Sequence, residues 1–512
     1  MNSPTFLKPH AATGKKVFVV GLDCAEPTLV FEKWRDKLPN LNQLARNGFW
    51  GELESSIPAI TVPAWSSMLS SHDPGTLGIY GFRNRADYSY ANFKIATASA
   101  VRSQRVWDIL SHWRKRSVVI GVPQTYPVKP LNGVMISGFL TPGRDCKFAY
   151  PFGFEKQVLR LAPEYQFDVP QFRTHNKDWL LDQIYQMTRQ RFKVVDYLLR
   201  NTDWDFFMVM EIGVDRIHHG FWSFHDPSHR NYRQGNPYET AILEYYQYID
   251  GKLGEWLNYL DNQATVLVVS DHGAQRMEGG FCLNEWLWRQ GYLCFKDDPK
   301  PGQIQRFEDL EVDWENTIAW GSGGYYGRIF LNVRGREPQG TVPPENYQAV
   351  REELAQKLSA VPDHQGNPMQ TKVFFPDRIY RTVNRVAPDL MVYFDDLRWR
   401  SVGSLGHGSV YTFENDTGPD ECNHRQFGMV IYYNPDNPGS GQPLQGAQLM
   451  DIAPTVLSEF DIPIPNHFQG ELLIKRRAFP NLQNSQDDPS FVKVNGVEKT
   501  RVRKTGSAVD RD

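Results

Sequence analysis

The stretch ATVLVVSDHG, residues 264–273, decides how the chain is read. Its five apolar residues lack the polar alternation of a half-exposed strand and suit a strand buried on both faces. The run stops abruptly at Ser270-Asp271-His272-Gly273. In open α/β sheets ligands bind outside the carboxyl ends of the strands, and adjacent Asp and His are a compact pair of cation donors. An ordinary β-turn would use the same letters, so the neighbouring strands must decide.

Two other runs end the same way. KKVFVVGLD (15–23) is an apolar, β-branched strand that delivers Asp23 at its carboxyl end, either as a ligand or as the cap of the next helix. WDFFMVMEIGVDRIHHGFW (204–222) is a buried strand followed by Asp215 and His219. Four positions apart, these two share one face of a helical turn and can hold one ion, whereas His218 points elsewhere and reads as structural. Helices are predicted over 177–201 and 237–260 from apolar spacing, with shorter ones at 27–48, 103–116, 345–360 and 449–460. Further strands fall at 49–55, 133–139, 327–333, 388–394 and 427–433. The alternation predicts an α/β fold with a mostly parallel central sheet and helices on both faces.

IPAITVPAWSSMLSSHDPGTLGIYGF (57–82) places Thr61 at the start of a helix, with Pro63 early in it. Thr61 reads either as a plain helix cap or as a nucleophile held where free amides and the helix dipole favour a phosphate. RNRADYSYANFK (83–94) is read as a loop over the site, and 140–176 as an irregular excursion shaping a cleft. His424 precedes the strand FGMVIYY, and His407 in GHG competes with it as a ligand candidate.

Composition narrows the classes. Charged residues make up 22% and 56 basic residues face 59 acidic ones, so the basic excess of a nucleic-acid binder is absent. Five scattered cysteines without CxxC spacing exclude a disulfide framework and a zinc ribbon. The first sixteen residues carry no apolar signal core, and no run approaches the ~18–20 apolar residues of a membrane span. A soluble, cytoplasmic protein is the expectation.

Taken in order, Asp23, Thr61, Asp215-x-x-x-His219, Asp271-His272 and His424 resemble the alkaline phosphatase superfamily, in particular its type I phosphodiesterase/nucleotide pyrophosphatase branch. The strings VVGLD, IPAITVPAWSSMLSS, VDRIHHGFW, VVSDHG, TGPDECNH and MDIAPTVLSEFDIPIP carry the resemblance from residue 17 to about 475. It implies an alkaline-phosphatase-like catalytic domain over 15–475, with inserted cap segments within 274–420; residues 476–512, polar and low in apolar content, read as a disordered tail. It also implies two divalent metal ions, zinc in preference to manganese or magnesium. Asp23, Thr61, Asp271 and His272 would hold one, and Asp215, His219 and His424 the other. The implied activity is hydrolysis of a small-molecule phosphate ester through a phosphothreonine on Thr61.

Two departures stand out. Leu77 and Phe82 occupy positions where related phosphodiesterases carry His and a phosphate-holding Asn, so Asn84 or Arg83 is the candidate for that contact. Trp65 stands where a sulfatase needs Arg, which excludes a formylglycine sulfatase. A phosphomonoesterase, a phosphotransferase or mutase, and a non-catalytic binding protein on the same fold are the competing readings.

Overall fold

Nine strands form the central sheet among residues 14–474, the part of the chain that this computed structural model describes. They are β1 (Val17–Leu22), β2 (Phe49–Glu54), β3 (Ser117–Ile120), β4 (Gly133–Ile136), β5 (Ala149–Tyr150), β6 (Phe206–Glu211), β7 (Thr265–Val269), β8 (Phe427–Tyr433) and β9 (Gln442–Pro443). The order across the sheet is β9-β2-β8-β7-β1-β6-β3-β4-β5. The five strands from β7 to β4 are parallel, while β8 runs antiparallel to both its neighbours. β1, β6 and β7 are buried at every residue, as their unbroken apolar runs require.

Register fixes the site. Val17 pairs with Phe206 on one side and Thr265 on the other, so β1, β6 and β7 start level and end level. Their carboxyl ends therefore release the segments bearing Asp23, Asp215 and Asp271 at one edge of the sheet.

Two groups of helices flank the sheet. α1 (Pro39–Asn47), α4 (Lys177–Asn201), α5 (Gly213–His225) and α6 (Ala241–Leu260) pack among themselves. α2 (Thr61–Ser70) and α3 (Val106–His112) pack instead against α8 (Ile452–Glu459). α4 has the bounds its periodicity predicts, burying Leu180, Ile184, Met187, Val194 and Leu198, with the Asn176 side chain accepting from Trp179 N–H at its start. α3 is shorter than expected. At its start Asp108 Oδ2 accepts from Arg105 N–H at 2.9 Å, and left-handed Arg114 lies just beyond its end.

Residues between β7 and β8 leave the sheet and return through a two-stranded ribbon. Gly273–Arg276 pairs antiparallel with Cys422–Arg425, which puts Ala274 opposite His424. Beyond the ribbon lie two small sheets, one of three strands and one of four, with α7 (Tyr347–Ser359) beside the latter. They share an apolar core that includes Phe281, Leu287, Trp320, Phe330, Leu354 and Phe394. The stretch expected to be a loop over the site, 83–94, contains most of a short hairpin, Arg83–Arg85 with Phe93–Ile95. That hairpin is pinned to the inserted region, by Arg85 on Glu337 at 3.2 Å and by Tyr90 stacked on Trp314 at 3.6 Å. The expected tail, 476–512, lies outside the described residues.

Candidate active site

Thr61 is the first residue of α2, and Ile60, in extended conformation, takes the cap position without a side-chain bond. The Thr61 hydroxyl is thus not spent as a helix cap. It lies 3.4 Å from His272 Nε2. Ala64 N–H closes the first turn on Ile60 O and Pro63 has no N–H, so the helix start offers the amides of Thr61 and Val62. Trp65, one turn on, donates Nε1–H to Asp23 Oδ2 at 2.8 Å. Its indole lies against β1, where a Cβ on Gly21 would meet it at 2.5 Å. Gly21 in VVGLD therefore makes room for the residue that orients Asp23.

Asp271 is held on its other side by Cys24 N–H, 3.1 Å from Oδ1, an approach made with Cys24 in the left-handed region (φ 64°). His272 Nε2 lies 3.2 Å from Asp271 Oδ2 and 3.9 Å from Asp23 Oδ1. Asp23, Thr61, Asp271 and His272 are thus brought together.

Asp215 and His219 fall one turn apart in the first half of α5, with His219 Nε2 at 3.2 Å and His424 Nε2 at 3.8 Å from Asp215 Oδ1. The ribbon explains His424. Pairing opposite Ala274 stacks its ring on His272, centroids 3.7 Å apart. All seven residues are almost fully buried.

The three histidines are set alike. Nδ1–H of His219 donates to Asp420 Oδ1 at 2.7 Å, that of His424 to Ala59 O at 2.8 Å, and that of His272 to Gly273 O at 3.2 Å. In the neutral ring this leaves each Nε2 as a lone pair, the form an imidazole needs to bind a metal. Five buried atoms here have no hydrogen-bond partner: Asp23 Oδ1, Asp215 Oδ1, Asp271 Oδ2, His219 Nε2 and His424 Nε2. Buried polar atoms are normally satisfied, and a convergent set that is not fits a cation. Asp23, Asp271 and His272 have donor atoms within 4.8 Å of one another, as do Asp215, His272 and His424, and Cys24, Asp215 and His219.

Charge divides the site. Burial pushes the Asp23 carboxyl well above the usual range, and Asp271 and Asp215 beside it add to the shift. Burial likewise raises Asp271, against the Cys24 amide that opposes it. Asp215 behaves oppositely. Burial would raise it, but His219 and Arg216, which is salt-bridged to it, hold it well below. Burial is also outweighed at His219, which Asp420 and Asp215 push well above its usual value. His272 is lowered by burial to about 4, and His424 by burial and its histidine neighbours.

The remaining candidates lie elsewhere or are otherwise employed. The Asn84 amide closes its own turn, accepting from Tyr80 N–H at 2.7 Å and donating to Gly81 O at 2.8 Å, which leaves little of it for a phosphate. Arg83 is exposed on the hairpin. His218 contacts Tyr246 OH at 3.3 Å and is lowered by burial to about 3, as a structural histidine should be. His407 pairs with Ser404 in the inserted region and joins none of the donor clusters among the described residues. Sequence reading missed Asp420, Tyr325 and Arg173, although Asp420 stands within TGPDECNH, four residues before His424. A cleft of about 1160 Å³ opens beside this half of the site, walled by Phe139 and residues of 141–179 including Phe172, Arg173 and Trp179. The excursion expected to shape a cleft does line one.

Fold and site together define a hydrolase of the alkaline phosphatase superfamily. The sequence profile described as type I phosphodiesterase / nucleotide pyrophosphatase matches residues 17–420, most of the chain. The chain belongs to that family and is a phosphodiesterase/phosphatase-type hydrolase. Similar solved structures include murine ectonucleotide pyrophosphatase/phosphodiesterase 5 in an inactive form with AMP, at 11% identity and TM-score 0.51, covering 89% of this chain and 97% of that one. Phosphonoacetate hydrolase from Sinorhizobium meliloti with phosphonoformate is similar at 15% identity and TM-score 0.55, covering 87% and 96%. Among curated proteins none matches significantly. Among the described residues, no helix is long and apolar enough to cross a membrane.

Proposed function

We propose that the protein hydrolyses phosphate esters of the phosphodiester or nucleotide-pyrophosphate type in two displacements, with Thr61 as nucleophile and two divalent cations. The observation that carries this reading is the convergence of five unpartnered buried donor atoms on the mouth of α2, beside the Thr61 hydroxyl. Asp23, Asp271 and His272 would hold one ion with Thr61, and Asp215, His219 and His424 the other. The mixed carboxylate and imidazole donors favour zinc. Bound there, the ions would lower the pKa of a coordinated hydroxyl and neutralise charge on the phosphoryl oxygens.

Thr61 Oγ1 bonds to phosphorus while the bond to the leaving group's oxygen breaks, and the Thr61 proton passes through a water in the cleft to that oxygen, which departs as an alcohol and leaves a phosphothreonine. Water then attacks phosphorus, the bond to Thr61 Oγ1 breaks, and the hydroxyl is restored. The amides of Thr61 and Val62 face the position where negative charge grows. Burial excludes bulk water from the nucleophile, and the cleft lined by Phe172, Arg173 and Trp179 receives the leaving group.

Metal analysis of purified protein, with turnover of bis(p-nitrophenyl) phosphate and p-nitrophenyl phosphate, tests the reading. Two divalent ions per chain and faster diester turnover are expected. A protein that binds no divalent metal, or a Thr61→Ala variant with undiminished turnover, would contradict it.

A further inference from the structure

The three site histidines are supported unequally. His272 and His424 give Nδ1–H to backbone carbonyls, which no side-chain substitution removes. His219 alone gives it to a side chain, Asp420, nearly fully buried. Asp420 Oδ2 in turn accepts from Arg173 Nε and Tyr325 OH, both at 2.9 Å, and Arg173 also reaches the Tyr325 hydroxyl. The Tyr325 ring lies over two histidines, 4.9 Å from His219 at 24° and 4.4 Å from His424 at 33°.

The four residues come from separate parts of the chain. His219 is on α5, Arg173 in the excursion after β5, Tyr325 in the inserted region and Asp420 at the end of that insertion. Together they make a hydrogen-bond network that ends, on the side of the site, at His219 Nε2.

We propose that Asp420, braced by Arg173 and Tyr325, is the positioning residue of the Asp215–His219–His424 cation site, so that the inserted segments set that site's affinity. The proposal rests on the two-cation reading above. With Asp420 as acceptor, His219 keeps its proton on Nδ1 and its ring aimed at Asp215. An amide at position 420 can donate as well as accept, which admits the wrong tautomer. Such outer supports are worth about 10–100-fold in metal affinity. Tyr325 and Arg173 also hold the Asp420 carboxylate in place, so removing the Tyr325 hydroxyl has a smaller effect of the same sign.

The test uses the full chain, stripped with a chelator and titrated with zinc alone against a chromophoric competitor. Wild type is expected to show two sites. Asp420→Asn should weaken one about 10–100-fold and leave the other unchanged, with the metal-free protein still folded. Tyr325→Phe should weaken the same site about 10-fold, the low end of that range. Nitrogen-15 histidine spectra of the zinc-loaded protein should show His219 with Nδ1 protonated in wild type and a mixture of tautomers in Asp420→Asn. If Asp420→Asn misfolds, the Tyr325→Phe titration decides alone. Wild-type affinity at both sites in the folded variants overturns the positioning role and leaves the two-cation reading standing. No zinc binding by wild type overturns that reading and this proposal with it.

Discussion

The two halves of the site are built on different electrostatic plans. Around Thr61, Asp23 and Asp271 are buried with neither in a salt bridge to Lys or Arg among the described residues, and burial raises both carboxyls. Around Asp215, Arg216 and His219 supply positive charge and hold the carboxylate down, and Asp420 and Arg173 extend the alternation outward. The first half, on the two-cation reading proposed above, would gain its positive charge only from a bound cation. The second is a charged network before any ion arrives. Buried charges are costly unless paired, so the two halves should respond oppositely to the loss of a carboxylate.

The largest expected effect lies at the proposed nucleophile. Thr61→Ala should lower turnover of bis(p-nitrophenyl) phosphate at least about a thousandfold while zinc content, measured by elemental analysis, stays near that of wild type. Next comes Asp271→Asn, which should lower metal content and turnover together by about a hundredfold. Full activity with normal metal would remove Asp271 from the site.

Smaller, and aimed at the comparison itself, are the stabilities of the metal-free variants in urea. Asp215→Asn strips Arg216 of one partner but leaves Asp168, at 2.7 Å, and should cost about 1–3 kcal/mol. Asp271→Asn removes a carboxylate that repels Asp23 and should cost less than that or stabilise. The reverse ranking would break the two-plan account.

The smallest effect is a difference in pH slope. Asp23 and Asp271 have folded pKa values above their unfolded ones, so their contribution is fully present below about pH 4 and is lost as pH rises through the raised values. Asp215 is depressed, so its contribution is present above about pH 4 and is lost as pH falls. Metal-free Asp271→Asn should therefore lose less stability than wild type between pH 5 and 8, and Asp215→Asn should lose less on acidification.

Legibility in the sequence followed the same division. Asp23 and Asp271 could be read because each ends an apolar run, and a strand buried on both faces announces its carboxyl end. Asp215 and His219 were readable as one helical turn. The position of His424 was not, because it depends on a ribbon pairing residues about 150 positions apart. Asp420 was overlooked since its partners, His219, Tyr325 and Arg173, are distant in sequence and no local period marks them. Strands of three residues, such as Arg83–Arg85 and Phe93–Ile95, are too short to show alternation and read as loop. Asn84 looked like a phosphate ligand by position, but only the structure reveals that its amide is already bound to its own turn.

The central claim is that Thr61 takes the phosphoryl group before water does. Hydrolysis of a phosphorothioate diester of known configuration in oxygen-18 water tests it directly. Two successive in-line displacements predict overall retention of configuration at phosphorus. Inversion would mean that water attacks the substrate in a single step and would contradict the covalent role of Thr61.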